Sequence, residues 1–188
     1  MTSLADFEAT GALLSGHFRL SSGLHSDRYL QCARLLQWTD RAEKAGRELA
    51  DKLAEFAPQI IVAPAMGGLI IGHEVARALK VPFVFAERQE GTFSLRRGFS
   101  VAPGAPVAIV EDVFTTGKST REVVEMLRGI GASVVAAGSI VDRGLPSGAL
   151  PVPPRSLLAL NVPAWPEPEC PLCAKGVPIS TPGSRFRS

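Results

Sequence analysis

Nothing among the 188 residues approaches the run of about 18–20 apolar residues that spans a bilayer. The opening Met1-Thr2-Ser3-Leu4-Ala5-Asp6-Phe7-Glu8 carries acids early and lacks the basic-then-apolar order of a secretory signal. Cysteine is scarce: Cys32, Cys170 and Cys173 are an odd count and do not suggest a disulfide framework. These absences lead us to expect a cytoplasmic protein. Charge excess is also missing. A formal net charge of +2 makes no demand for nucleic acid or a membrane surface, so an anionic ligand must be met by locally placed cations. No internal repeat and no second domain is visible, and 1–188 reads as one domain.

What is present is ordinary globular material, 46% hydrophobic and 20% charged, enough to bury a proper core. Ser3 to Leu14 has helical spacing with Ser3 as N-cap, and Gly16 stops it. Short strands are expected at His17–Leu20 and Arg28–Gln31, around the turn-rich Ser21-Ser22-Gly23. Asp40 to Phe56 reads as an amphipathic helix with Ala42, Ala45, Leu49 and Leu53 along one side.

From there a strand–loop–helix rhythm sets in. Strands are expected at Gln59–Ala63, Pro82–Ala86, Pro106–Val110 and Ser133–Val141, with helices at Gly67–Leu79 and Thr116–Arg128. Such alternation predicts an α/β fold, a parallel sheet covered by helices on both faces. Glu87 to Gly104 falls outside the rhythm and reads as a ribbon or mobile loop. The proline-rich stretch from Pro146 onward reads as an irregular cover. The working division is therefore an N-terminal element at 1–35, an α/β core at 36–145 and a cover at 146–188.

The chemistry concentrates in Val110-Glu111-Asp112-Val113-Phe114-Thr115-Thr116-Gly117-Lys118-Ser119-Thr120, which follows an apolar strand and opens a helix. Ligands of open α/β sheets sit at that end of a strand. Two adjacent carboxylates can accept hydrogen bonds from a vicinal diol, directly or through a hydrated metal. The hydroxyls, the small Gly117 and the free N–H groups of a helix start can wrap a phosphate. A sugar phosphate needs both halves. Gly117-Lys118-Ser119 imitates the end of an ATP-binding P-loop, but the glycine required five positions earlier is Asp112, whose charge would repel phosphate. The bland alternative is that Glu111 and Asp112 merely end a strand while Thr115 caps a helix. The combined run of acids, hydroxyls, glycine and helix weighs against it.

This segment resembles the phosphoribosyl pyrophosphate signature of the type I phosphoribosyltransferases. The resemblance implies that family's fold, with N- and C-terminal pieces forming a small hood over the active site. It implies that Glu111 and Asp112 hold the ribose hydroxyls and that Val113, Phe114, Thr115, Thr116, Gly117, Lys118 and Ser119 bind the ribose phosphate. For Lys118 the backbone N–H matters more than the side chain. Pro64-Ala65-Met66-Gly67-Gly68 resembles the family's pyrophosphate loop, so Ala65, Met66, Gly67 and Gly68 are expected to face the leaving group.

Other segments resemble the orotate-specific family. Gly16 to Tyr29 is similar to its N-terminal base-pocket element, and Arg143 matches the arginine that binds orotate's carboxylate. The resemblance thus assigns Thr115, Arg143, Tyr29 and Ser21 to orotate. Ala86-Glu87-Arg88, Leu95-Arg96-Arg97-Gly98-Phe99, Cys170-Pro171-Leu172-Cys173 and Pro182-Gly183-Ser184-Arg185 resemble a shorter branch, seen in Thermus and many α-proteobacteria. Phosphoribosyl pyrophosphate and orotate are the implied substrates and Mg²⁺ the implied cofactor, held mainly by phosphoribosyl pyrophosphate, with no direct protein ligand assigned and Glu111 and Asp112 as the candidate contacts. A homodimer is implied in which loop 87–104 reaches the neighbouring site.

That loop departs from the better-known branch, since Glu87 to Gly104 holds no lysine. Arg88, Arg96 and Arg97 are the candidates to neutralise pyrophosphate, arginine being a bidentate phosphate binder. Ser21 stands where that branch has a lysine near the base.

Three further readings complete the sequence. Cys170-x-x-Cys173 has the spacing of half a zinc site, but only Cys32 remains as a thiol and the histidines lie far upstream, so zinc is disfavoured. His17, His25 and His73 lack a nucleophile partner and read as surface or packing residues. Two rival functions stand beside the orotate enzyme. One is a purine phosphoribosyltransferase, against which Arg143 and the Gly16–Tyr29 element argue. The other is a ligand-sensing regulator, for which no nucleic-acid-binding domain or basic face is seen.

Overall fold

The computed structural model describes residues 1–20 and 22–182; Ser21 and 183–188, including the Gly183-Ser184-Arg185 match, lie outside the described residues. Its centre is a six-stranded sheet in the order β5-β4-β3-β6-β7-β8. The strands are β3 (Ile60–Pro64), β4 (Phe83–Gln89), β5 (Thr92–Leu95), β6 (Pro106–Phe114), β7 (Ser133–Asp142) and β8 (Pro154–Ala159). All neighbours pair in parallel except β4 with β5. No described helix is long and apolar enough to cross a membrane.

The central strands are apolar on both faces because both faces are covered. Ile61, Ala108 and Val110 face one layer, built by α3 (Thr39–Leu53) and α4 (Gly68–Leu79). Val62, Val107 and Ile109 face the other, under α5 (Lys118–Gly129) with Val123, Val124 and Leu127. Alternate residues of one strand thus enter opposite cores, as the pleat requires. The parallel sheet between two helical layers is the expected architecture.

A separate two-stranded antiparallel ribbon, β1 (Leu13–Arg19) with β2 (His25–Leu30), stands outside this sheet. The first helix is shorter than its spacing suggested. α1 covers only Leu4–Ala9, started at Ser3, whose N–H donates to Asp6 Oδ2 at 2.9 Å. Gly11, at a φ of +64°, turns the chain, and Leu13 and Leu14 join the ribbon instead. The one-turn α2 (Ala33–Leu36) leads into α3.

Of the two alternatives for Glu87–Gly104, its first part is the ribbon: β4 runs on to Gln89 and returns as β5 through Glu90-Gly91, both at positive φ, the usual two-residue hairpin geometry. One other expectation is corrected. The stretch after Pro146 is not irregular throughout. β8 extends the core sheet at its edge, where Pro154 can occupy the first strand position without breaking the ladder. The remainder, with the one-turn α6 (Pro171–Ala174), crosses back to the ribbon.

Candidate active site

The sheet reverses its winding between β3 and β6. From β3 the chain moves through α4 to β4 on one side; from β6 it moves through α5 to β7 on the other. The carboxyl ends of these two strands splay apart, and an open α/β sheet binds ligand there. A cleft of about 570 Å³ occupies this point, lined by Pro64–Gly68, Glu111–Val113, Thr115–Ser119, Arg88 and Phe93.

Its two walls interlock. A Cβ added at Gly67 would stand 2.7 Å from Asp112 Oδ1, and one at Gly68 2.6 Å from the Val110 carbonyl. Only glycine lets the loop after β3 lie against the acids of β6. Gly117 holds a φ of +70°, and a Cβ there would meet Leu150 at 2.8 Å. It precedes the twelve-residue α5 as its N-cap, so the helix N-terminus faces the cleft through Lys118 and Ser119, the Lys118 N–H donating to Thr116 Oγ1 at 3.4 Å. No acid stands in that helix's first turn. The cradle is built for an anion.

The acid pair sits opposite. Thr120 donates from Oγ1 to Glu111 Oε2 at 2.8 Å, and the Val113 N–H donates to Asp112 Oδ1 at 2.9 Å. Burial, opposed by the Thr120 hydrogen bond and aided by the neighbouring Asp112 charge, lifts the Glu111 carboxyl to about 7. Burial also raises Asp112, opposed by hydrogen bonds from backbone N–H groups. Two adjacent carboxyls at a cleft, both raised by burial, mark a functional site.

Arg88 lines the cleft as a cation, as does Lys118 at the start of α5. The Arg88 guanidinium lies 4.2 Å from the Phe93 ring centroid, donates to the Gly91 carbonyl at 2.6 Å and pairs with Glu122. Arg143 occupies a different position. Its backbone N–H donates to the Phe114 carbonyl at 2.9 Å, anchoring it beside the end of β6. Its side-chain Nε is buried with no hydrogen-bond partner. Burial lowers its pKa, against the raising influence of Cys32 and Tyr29. A half-buried guanidinium whose buried Nε–H has no partner suits an anionic ligand.

Residues 28–152 match the model of the phosphoribosyl transferase domain family. The chain is 51% identical over 178 residues to the orotate phosphoribosyltransferase of Thermotoga maritima, covering 95% of each. It is 51% identical over 186 residues to that of Sphingopyxis alaskensis, covering 97% of this chain and 95% of the relative. The crystal structure of orotate phosphoribosyltransferase from Aeropyrum pernix superposes with a TM-score of 0.71 at 30% identity, over 82% of this chain and 91% of that one. This chain belongs to the orotate phosphoribosyltransferases.

Within this orotate phosphoribosyltransferase chain, Ala65, Met66, Gly67, Gly68, Glu111, Asp112, Val113, Thr115, Thr116, Gly117, Lys118, Ser119 and Arg88 share one cleft. Phe114 does not: it is fully buried in the core under α5 and offers only backbone. Arg97 stands outside the cleft, exposed and paired with Glu87 at 2.9 Å, and Arg96 does not line it either. Tyr29 packs against Phe18, ring centroids 5.7 Å apart, on the ribbon rather than on the cleft wall. The Ser21 expectation falls outside the described residues.

Sequence reasoning included Thr120 in the binding segment without giving it a role, and missed Phe93 and Glu122. Thr120 carried a signal, a hydroxyl on the helix following the acids. Phe93 and Glu122 carried none, because only the β4–β5 hairpin brings them to Arg88.

Proposed function

We propose that this chain transfers the ribose 5-phosphate of phosphoribosyl pyrophosphate to orotate, giving orotidine 5′-monophosphate and pyrophosphate in the synthesis of UMP. The observation that carries the reading is one cleft holding an acid pair and an anion cradle, with the unpartnered Arg143 guanidinium anchored one residue from Thr115. The C1′–oxygen bond to pyrophosphate breaks with its electron pair leaving on pyrophosphate, and orotate N1 closes on C1′ as its N1–H proton is released to the departing pyrophosphate or to water. Charge develops on a loose sugar cation and on the leaving group, so positioning and electrostatics do the catalysis.

Each part has a task. Glu111 and Asp112 accept hydrogen bonds from the ribose hydroxyls. The N–H groups and hydroxyls of Thr115–Ser119 hold the 5′-phosphate, and the backbone of Ala65–Gly68 faces pyrophosphate. Arg88, steadied by Glu122 and Phe93, offsets the leaving charge, and Arg143 receives orotate's carboxylate. The residues fit Mg²⁺ as cofactor: the free oxygens of Glu111 and Asp112 are hard donors of the kind it selects. When bound, the ion adds positive charge beside the pyrophosphate and ribose hydroxyls.

The same reading makes the protein a homodimer, because Arg96 and Arg97 lie outside their own cleft, just past β5 in the 87–104 segment expected to reach the neighbour's. Mixing Arg96→Ala/Arg97→Ala chains with Asp112→Asn chains should then restore up to about a quarter of wild-type activity, one intact site in half the dimers. No recovery in dimers shown to exchange would refute the crossing segment. Three free cysteines suit a reducing cytoplasm. The deciding assay follows orotate's ultraviolet absorbance with phosphoribosyl pyrophosphate and Mg²⁺ present. Loss of absorbance is expected; none, with turnover of hypoxanthine or adenine, would overturn the acceptor.

A further inference from the structure

Away from the cleft, the β1–β2 ribbon and the C-terminal segment enclose four side chains of ligand chemistry. His17 and His25 are each 3% exposed and Cys170 is 2% exposed. With Cys173 they place one ligand atom each within 4.8 Å of all the others. Of the two places their sequence context suggested for His17 and His25, surface or packing, they take the second. The zinc reading of Cys170-x-x-Cys173 was disfavoured for want of nearby histidines, and the fold supplies them from more than a hundred residues away.

We propose that His17, His25, Cys170 and Cys173 form a structural zinc site that fastens the C-terminal segment to the β1–β2 ribbon.

Four of the six ligand–ligand separations are close to the edges of a tetrahedron around zinc. His17 Nε2 and His25 Nδ1 are 3.1 Å apart. Nitrogen–sulfur separations are 3.2 Å for His25 Nδ1 to Cys173 Sγ, 3.5 Å for Cys170 Sγ to His17 Nε2 and 3.6 Å for Cys173 Sγ to His17 Nε2. Zinc bonds of about 2.0 Å to nitrogen and about 2.3 Å to sulfur give edges of roughly 3.3 Å and 3.5 Å. The tautomer is set from outside. His17 Nδ1 lies 2.7 Å from the Val177 carbonyl, to which its N–H donates, so the lone pair of Nε2 faces the cluster. Two imidazoles and two thiols select a borderline-soft tetrahedral cation over Mg²⁺. Four protein ligands close the coordination shell, and none of them lines the cleft, which assigns the metal to structure rather than chemistry.

The segment that would be fastened has little else to hold it. Beyond β8, Val162 and Cys170 are its only buried apolar residues among those described. Backbone bonds join Trp165 to His25, and Ser180 to His17 and Arg19. The cysteines bracket a single turn, in which the Ala174 N–H donates to the Cys170 carbonyl and the Gly176 N–H to that of Cys173. This compact knuckle carries both sulfurs on one side of the chain.

The test uses the full chain purified untagged without chelators. Elemental analysis should give close to one zinc per chain. After exchange with Co²⁺ under reducing conditions, the spectrum should show tetrahedral d–d bands and thiolate-to-cobalt charge transfer. Cys173→Ser should lose at least tenfold in Zn²⁺ affinity and the charge-transfer intensity of one sulfur. Trypsin should cut the zinc-stripped protein at Lys175 at least tenfold faster than the zinc-loaded one. Folded wild-type protein with under a tenth of a zinc per chain, and no cobalt bands on titration with Co²⁺, overturns the site. So does a Cys173→Ser protein that keeps full zinc. Should that variant not fold, the wild-type cobalt spectrum decides alone.

Discussion

The cleft and the ribbon–tail clasp solve opposite problems. The cleft is polar, yet it stands on strands whose Val62, Val107, Ala108, Ile109 and Val110 are buried between two helical layers. Its backbone is held by the core, and its side chains are left free to carry unfavourable burial, as Glu111 and Asp112 do. In the clasp the order is reversed. Few apolar groups are buried, the elements are a short ribbon and single turns, and the polar side chains must supply the fastening themselves. The difference teaches that buried titratable groups are spent on ligand where the scaffold is rigid, and on cohesion where it is not. Predictions that damage one region and spare the other put this to the test.

The largest effect is expected at Asp112. Asp112→Asn removes a charge that burial disfavours while keeping the shape that Gly67 packs against, so the fold should be untouched and its melting temperature unchanged or slightly raised. Turnover should fall by about 10³-fold, the loss of a group that acts on the developing sugar cation. A variant within threefold of wild type would break the assignment of the acid pair. Arg143 lies where the two regions meet, with Tyr29 of the ribbon beside it. Arg143→Met should raise KM for orotate about 30- to 100-fold, the value of a charge-assisted hydrogen bond, and leave KM for phosphoribosyl pyrophosphate within about threefold. Equal changes in both constants would show that the arginine supports the sugar site instead.

The two regions also differ in how far the sequence revealed them. The cleft's central piece was legible because its chemistry is contiguous: strand, acids, hydroxyls, glycine and helix follow one another from Val110 to Thr120. The alternation of apolar strands and helices likewise announced the parallel sheet. Failures came where meaning depends on partners distant in sequence. Phe114 sits inside the binding motif, but the pleat turns its side chain into the core. Arg88, Arg96 and Arg97 look equivalent in one dimension, and only the hairpin register sends Arg88 to the cleft while Arg97 turns to Glu87. His17 and Cys170 are separated by nearly the whole chain, so no local pattern joins them. The edge strand β8 was hidden by flanking prolines that an edge position tolerates.

The smallest effect sharpens the comparison most, because it is a titration that belongs to the cleft alone. Glu111 has a folded pKa of about 7 against an ordinary value of 4.5. Between those values the folded chain holds a proton that the unfolded chain has released, so this residue lowers stability as pH rises through that window. It also becomes a pure hydrogen-bond acceptor for ribose only above it. The kcat/KM for phosphoribosyl pyrophosphate, which reports the free enzyme, should therefore fall up to tenfold for each pH unit below about 7. In Glu111→Gln the break should vanish and the melting temperature should lose its downward slope over the same range. A break at the ordinary carboxylate range in the wild type would mean that Glu111 is solvated and that the burial argument fails. Cys173→Ser should keep the break near 7 even if its melting temperature falls, since the clasp holds no group that the ribose meets. A shifted break in that variant would show that the two regions are one.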